Sequence, residues 1–166
     1  MDAQIVIMVQ INGRRWTLEA LHCACLLART ISAKIALVKM IPDQYYSSIG
    51  TDLGFLNFSE QDRSELSDYQ ATIEDYGVEY SIHFYYYVTL AWAIGQAAEH
   101  VNAQIVFATL PRSITPFWRS FQLQGLRRYL SRQQRELNEQ PAYDLHSLLS
   151  PDPIKRQNGF CDREDV

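Results

Sequence analysis

No apolar run in this sequence approaches the roughly 18 residues that a membrane-spanning helix needs. The familiar short signatures of catalysis are missing as well: there is no GxSxG, no HExxH, no phosphate-binding Walker loop and no paired-carboxylate pattern. Cysteine is scarce, at three residues in 166. Cys23 and Cys25 stand two apart on a predicted helix, so they point to different faces and share neither a metal nor a disulfide. Cys161 falls in a polar tail. The four histidines, His22, His83, His100 and His146, are scattered without ligand spacing and read as ordinary core or surface residues. The N-terminus shows neither a basic stretch nor a cleavage-site pattern and enters a strand within a few residues. These absences lead to the expectation of a soluble, cytoplasmic, non-enzymatic protein without disulfides or metal. The 47% hydrophobic and 20% charged residues are values for a globular chain, and the length suits one domain with a real core.

Charge of one sign is also missing over long stretches. Between Ala103 and Arg135 there are six arginines and no acid, whereas Asp43 to Tyr76 carries eight acids and a single base, Arg63. The net charge of −4 hides this separation. Opposed surface potentials of this kind suit self-association or an anionic partner. Asp43, Asp52, Asp62 and Asp68 read as a solvated face rather than acid–base machinery.

What is present begins with Ile5-Val6-Ile7-Met8-Val9, a β-branched apolar run suited to a strand buried on both faces. Asn12-Gly13 breaks it with a turn pair. From Trp16 to Ile31 apolar positions recur at helical spacing, with Thr17 placed as a cap, and Ile35 to Ile41 forms a second strand ended by Pro42. Strand, helix and strand with short joints form a right-handed βαβ unit, whose ligand crevice lies at the carboxyl ends of the strands. Asp43 to Phe58 reads as a long loop over that crevice. Ser59, with Asp62 three residues on, predicts a helix to about Tyr76, stopped by Gly77. Val78 to Phe84 alternates as a half-covered or edge strand. Thr89 caps a helix from Leu90 to Val101 that turns Ala91, Ile94, Ala98 and Val101 inward. Gln104 to Ala108 is a fourth strand. Phe117, Phe121, Tyr129 and Leu130, with Ile114, Trp118 and Leu126, trace a helical stripe to about Leu137, and Pro141 to Leu149 holds a short fifth strand. Residues 1–150 form one domain, and 151–166 a polar tail expected to be disordered.

The ordered series Ile11-Asn12-Gly13, Glu19-Ala20-Leu21, Ala33 to Val38, Tyr76-Gly77-Val78-Glu79 and Ala98-Glu99-His100 through Ala108 resembles the universal stress protein family. The resemblance covers Ile5 to about Leu149. It implies a three-layer α/β/α fold around a five-stranded parallel sheet of order 3-2-1-4-5, often dimeric through the last strand. ATP-binding members carry an Asp-Gly after the first strand and a glycine-rich loop after the fourth. Here Asn12 stands at the Asp position with Gly13 retained, and the loop glycines fall on Thr109, Arg112 and Gln122, with Pro111 between the first two. Side chains with a Cβ, and a proline without an N–H, do not form a backbone phosphate cradle. The expectation is therefore no cofactor. The alternative is ATP or another adenine nucleotide held by Asn12, Gly13, Met40, Thr109 and Arg112, with Arg112 meeting phosphate as a charge.

The arginine segment interleaves with aromatics, the composition of an interface hot spot. The candidate interface residues are Trp118, Arg119, Phe121, Arg127, Arg128 and Tyr129. They point to a homodimer or a protein partner through residues 111–137, and the acidic balance argues against nucleic acid. The run Tyr85-Tyr86-Tyr87 reads equally as core or as interface.

Overall fold

The computed structural model describes residues 4–42, 59–111 and 116–139. The elements run β1 (Val6–Ile11), α1 (Arg14–Ile31), β2 (Lys34–Pro42), α2 (Glu60–Asp75), β3 (Tyr80–Tyr87), α3 (Leu90–His100), β4 (Ile105–Phe107), α4 (Pro116–Arg132) and β5 (Glu136–Asn138). The strands form one sheet in the order β3-β2-β1-β4-β5, and all four pairings are parallel. This is the predicted topology.

The order follows from β1. All six of its residues are buried, as the unbroken apolar run predicts. Alternation sends Ile7, Val9 and Ile11 to one face, where they join Ile35, Leu37 and Phe107 beneath α1 and α2. Val6 and Met8 face the other way and meet Ala36, Val38 and Val106 beneath α3 and α4. Each aliphatic side chain so buried contributes about 1.5–3 kcal/mol. On α1, Ala20, Leu21, Ala24, Cys25, Leu27 and Ala28 supply the packing stripe. Burial drives the Cys25 thiol up to about 12, and raises that of Cys23 together with the neighbouring Glu19 charge. Both therefore behave as small hydrophobes rather than reactive thiolates.

Several local expectations are corrected. The first helix starts at Arg14, with Gly13 at its N-cap, so Thr17 lies inside the helix and is fully buried. Thr89 does occupy an N-cap, but its hydroxyl makes no capping bond. On α3 the buried residues are Ala93, Ile94, Gly95, Ala97 and Ala98, while Ala91 and Val101 are only half-buried. The stripe drawn to Leu137 crosses an element boundary: α4 ends at Arg132, Gln134 turns with positive φ, and β5 follows at once. Among the described residues the fifth strand is Glu136–Asn138, which lies before the predicted Pro141 to Leu149. Three residues were too few to show a strand period, and Leu137 alone continued the helical spacing by coincidence. The Asp43 to Phe58 loop, Ile114, His146, Cys161, the Pro141 to Leu149 segment and the tail lie outside the described residues.

The start of α2 is built as the sequence suggests. Ser59 Oγ accepts the Asp62 N–H at 3.1 Å, and the Asp62 carboxylate accepts the Ser59 N–H at 3.2 Å, a reciprocal capping box. The Ser59 hydroxyl bond is the main reason the Asp62 carboxyl sits below its usual range, with Lys39 adding to the effect and burial opposing it. A carboxyl depressed on folding contributes stability above its unfolded value, near 3.9, and loses that contribution as pH falls through the lower folded value. Ser59→Ala should cost about 0.5–2 kcal/mol at neutral pH. Urea denaturation at a series of pH values should show this difference shrinking once the pH drops below about 4.

Candidate functional site

In an open α/β sheet the crevice for a ligand lies outside the carboxyl ends of the strands where the strand order reverses, here between β1 and β4. The helices after these two strands leave on opposite faces, which would open a gap. Gln10, the one polar residue within the β1 core run, spans it. Its side chain is only 2% exposed, and Oε1 accepts the backbone N–H of Thr109 at 2.9 Å. Next to it, Thr17 reaches back from the first turns of α1. Its Oγ1 accepts the Asn12 N–H at 3.0 Å and its hydroxyl donates to the Asn12 carbonyl at 2.7 Å. Two backbone N–H groups at this crevice, those of Asn12 and Thr109, are thus engaged by side chains of the same chain.

The residues proposed for a nucleotide divide accordingly. Asn12-Gly13 and Thr109 lie at the ends of adjacent strands. Gly13 adopts φ 39, which its lack of a Cβ permits. Met40, near the end of β2, is buried in the core under α3 and α4. Gln122, where the resemblance places a loop glycine, is inside α4. Arg112 lies outside the described residues. Among the described residues, no group of three or more His, Cys, Asp or Glu could hold a metal, and no helix is long and apolar enough to cross a membrane.

The arginine-rich helix shows a different division of labour along its length. Leu126 and Leu130 enter the core, whereas Phe117, Trp118 and Phe121 are 82%, 50% and 62% exposed. Trp118 and Phe121 stack on one another, with ring centroids 5.7 Å apart and an interplanar angle of 24°. Arg119 Nε donates to the Leu110 carbonyl at 3.4 Å, bracing the segment after β4. Arg128 is exposed. Arg127 forms an ion pair with Glu139 at 3.0 Å, and the Glu139 carbonyl accepts the Trp16 indole N–H at 3.3 Å. Tyr129, counted among the interface candidates, turns inward instead. Its hydroxyl donates to Glu99 Oε2 at 2.8 Å and accepts from Gln96 Nε2 at 3.1 Å. The described acids of α2 do not answer the α4 arginines: Asp68 pairs with Arg14 at 2.7 Å and Asp62 with Lys39 at 3.5 Å, on the opposite face of the sheet. Exposed pairs of this kind contribute about 0–1 kcal/mol.

The sequence reading set Gln10 to Arg14 at the carboxyl end of the first strand but gave Gln10 no role, and it did not single out Glu139. Gln10 carried a signal, a lone amide in an apolar strand, which is costly to bury unless its partner is built in. Glu139 carried none, because its partners Arg127 and Trp16 come together only through the fold.

The described architecture matches solved structures. A universal stress protein family member from Burkholderia pseudomallei aligns with TM-score 0.55 and 19% identity, over 82% of this chain and 95% of its own. A universal stress protein in complex with cAMP aligns with TM-score 0.53 and 14% identity, over 82% and 96%. One from Archaeoglobus fulgidus aligns with TM-score 0.51 and 16% identity, over 80% and 90%. The fold is that of the universal stress proteins. At these identities the likeness concerns the fold. No family model matches the sequence, and no curated protein matches it.

Gln10→Leu should cost about 1–3 kcal/mol by leaving the Thr109 N–H buried without its partner, and Thr17→Val the same by orphaning the Asn12 N–H; urea denaturation measures both. A Cβ on Gly95 would stand 2.8 Å from the Tyr129 ring. Gly95→Ala should therefore cost about 1–3 kcal/mol through overpacking. In a double-mutant cycle with Tyr129→Ala, the two losses should fail to add.

Proposed function

We propose that this chain is a non-enzymatic, universal-stress-protein-like interaction domain that binds no ATP in the manner of the nucleotide-binding members and assembles through α4. One observation carries this reading. Two crevice N–H groups, those of Asn12 and Thr109, are occupied by Thr17 and Gln10, while three large aromatic side chains at the start of α4 stand in solvent. Exposing such rings is unfavourable for a protein that works alone, and contiguous apolar patches mark association sites. The arginines around them supply a charged rim of the kind seen at protein interfaces. The role is regulatory, with a second copy of this chain as the first partner to test. A second reading, an adenine-nucleotide sensor with a rebuilt phosphate site, draws on the structural neighbour in complex with cAMP. In that reading Arg112 supplies the phosphate contact and the Gln10 bond to Thr109 must open.

Calorimetry and light scattering separate the two. Mg-ATP should show no binding tighter than about millimolar, which corresponds to only ~4 kcal/mol. A micromolar isotherm weakened by Arg112→Ala would instead establish the sensor. Light scattering should give twice the 19.2 kDa chain mass. Trp118→Ala with Phe121→Ala should weaken that association by about 2 kcal/mol or more, roughly thirtyfold, with circular dichroism unchanged. Unfolding of the double variant would make the rings structural, and unchanged assembly would remove α4 from the interface.

A further inference from the structure

A second concave surface lies away from both the crevice and the start of α4. Where β3 meets α3, an open groove of about 430 Å³ is lined by Tyr85, Tyr86, Trp92, Gln96, Glu99 and His100. Helical spacing explains it: residues 92, 96, 99 and 100 fall on one side of α3, and β3 is the edge strand beside them. Trp92 is 66% exposed in the middle of this surface. Tyr85 meets the His100 ring edge to face, at a centroid distance of 5.7 Å and an angle of 75°. Among the described residues, Glu99 is the one carboxylate of the lining, and no lysine or arginine belongs to it. Its position is fixed from behind, because Gly95 lets the Tyr129 ring lie close against α3 and the Tyr129 hydroxyl then holds Glu99 Oε2. One carboxylate oxygen is tied to the fold in this way, and the charge stays at the groove.

We infer that this groove is a binding site for a soft organic cation, a methylated ammonium group held over the Trp92 and Tyr85 rings with Glu99 as counter-charge. Aromatic faces carry negative electrostatic potential and attract weakly hydrated cations, and quaternary ammonium groups are recognised in this way by clustered rings. The carboxylate adds a charge that favours a cation over a neutral molecule of the same shape. The net charge of −4 acts in the same direction at long range. Nothing in this inference depends on α4 association or on the state of the nucleotide crevice.

The test is titration of the full chain, followed by NMR of the three tryptophan indole N–H signals, with Trp92 assigned through Trp92→Phe. The probes are choline and 3,3-dimethylbutan-1-ol, which has the same shape without the charge, and an acetylated, amidated tripeptide bearing trimethyl-lysine. Saturable movement of the Trp92 signal with choline, at least about tenfold tighter than with the neutral alcohol, is the expected result. Glu99→Gln should weaken choline binding several-fold and Trp92→Ala should abolish it, each with the remaining spectrum unchanged. Glu99→Asp, which keeps the charge on a shorter arm, should retain part of the binding. Tighter binding of the tripeptide than of choline identifies a protein side chain as the natural source, and the reverse identifies a free small molecule. Equal response to choline and the alcohol, or no movement of the Trp92 signal at the highest concentration, overturns the inference.

Discussion

Burial of β1 on both faces is the constraint on which the rest of the molecule depends. A strand with six buried residues needs a neighbour strand on each side and helices on both faces, because every backbone N–H and C=O must be paired away from water. Right-handed crossovers then place α1 and α2 on one face, while the return across β1 to β4 carries α3 and α4 to the other. The two cores, one on each face, follow from alternation along β1 and β2. So does the reversal of strand order at β1, which is where such folds hold ligands. In this chain the same strand that creates the crevice also closes it, through Gln10. A buried amide without partners would cost several kcal/mol, so its bond to Thr109 is part of the stability of the centre of the sheet rather than a decoration on it.

The exposed rings of α4 have a geometric origin. Both α3 and α4 run back from the carboxyl ends of their strands, and they are locked in register by Tyr129 against Gly95, Gln96 and Glu99. Gly95 lies five residues after the start of α3, about 8 Å, whereas Tyr129 lies thirteen residues after the start of α4, about 20 Å. With those points side by side, α4 overhangs α3 by about two turns. Phe117, Trp118 and Phe121 occupy that overhang, where none of the described helices receives them. Further down the helix, Leu126 and Leu130 have α3 and the sheet to pack against, and they are buried. One helix thus reads as core in its second half and as surface in its first.

This explains how much was legible. The strands and helices from Ile5 to Phe107 announced themselves because each has a period matched to one or two buried faces, and the strand order came with the resemblance. The α2 capping box was visible as Ser59 and Asp62. The last third was harder for a physical reason: α4 has no single buried stripe, since its surroundings change halfway along, and β5 is too short to show alternation. Tyr129 looked like its neighbours Arg127 and Arg128 in sequence, but the rotation of about 100° per helical residue aims it at Gly95 instead of at solvent. Asn12, Gly13 and Thr109 lie at strand ends, yet the Asn12 and Thr109 N–H groups are engaged by Thr17 and Gln10, through turn and long-range contacts that a linear reading does not join.

Charge geometry narrows how α4 can meet another molecule. Within one chain the paired acids of α2, Asp62 and Asp68, lie on the face of the sheet opposite to α4 and already answer Lys39 and Arg14. Contact between the α2 side of one copy and the α4 side of another would be heterologous, and heterologous contacts propagate unless a ring closes. A two-fold contact built on α4 avoids propagation but brings like against like. Arginines placed at its centre would then repel across a desolvated boundary, where an uncompensated charge costs several kcal/mol. A two-fold contact with Trp118 and Phe121 at the axis, and Arg128 and Arg132 at a wet rim, would satisfy both conditions. Along α4 the aromatic Phe117, Trp118 and Phe121 lie in the first half, where Arg119 is turned to the Leu110 carbonyl, and Arg127, Arg128 and Arg132 lie in the second.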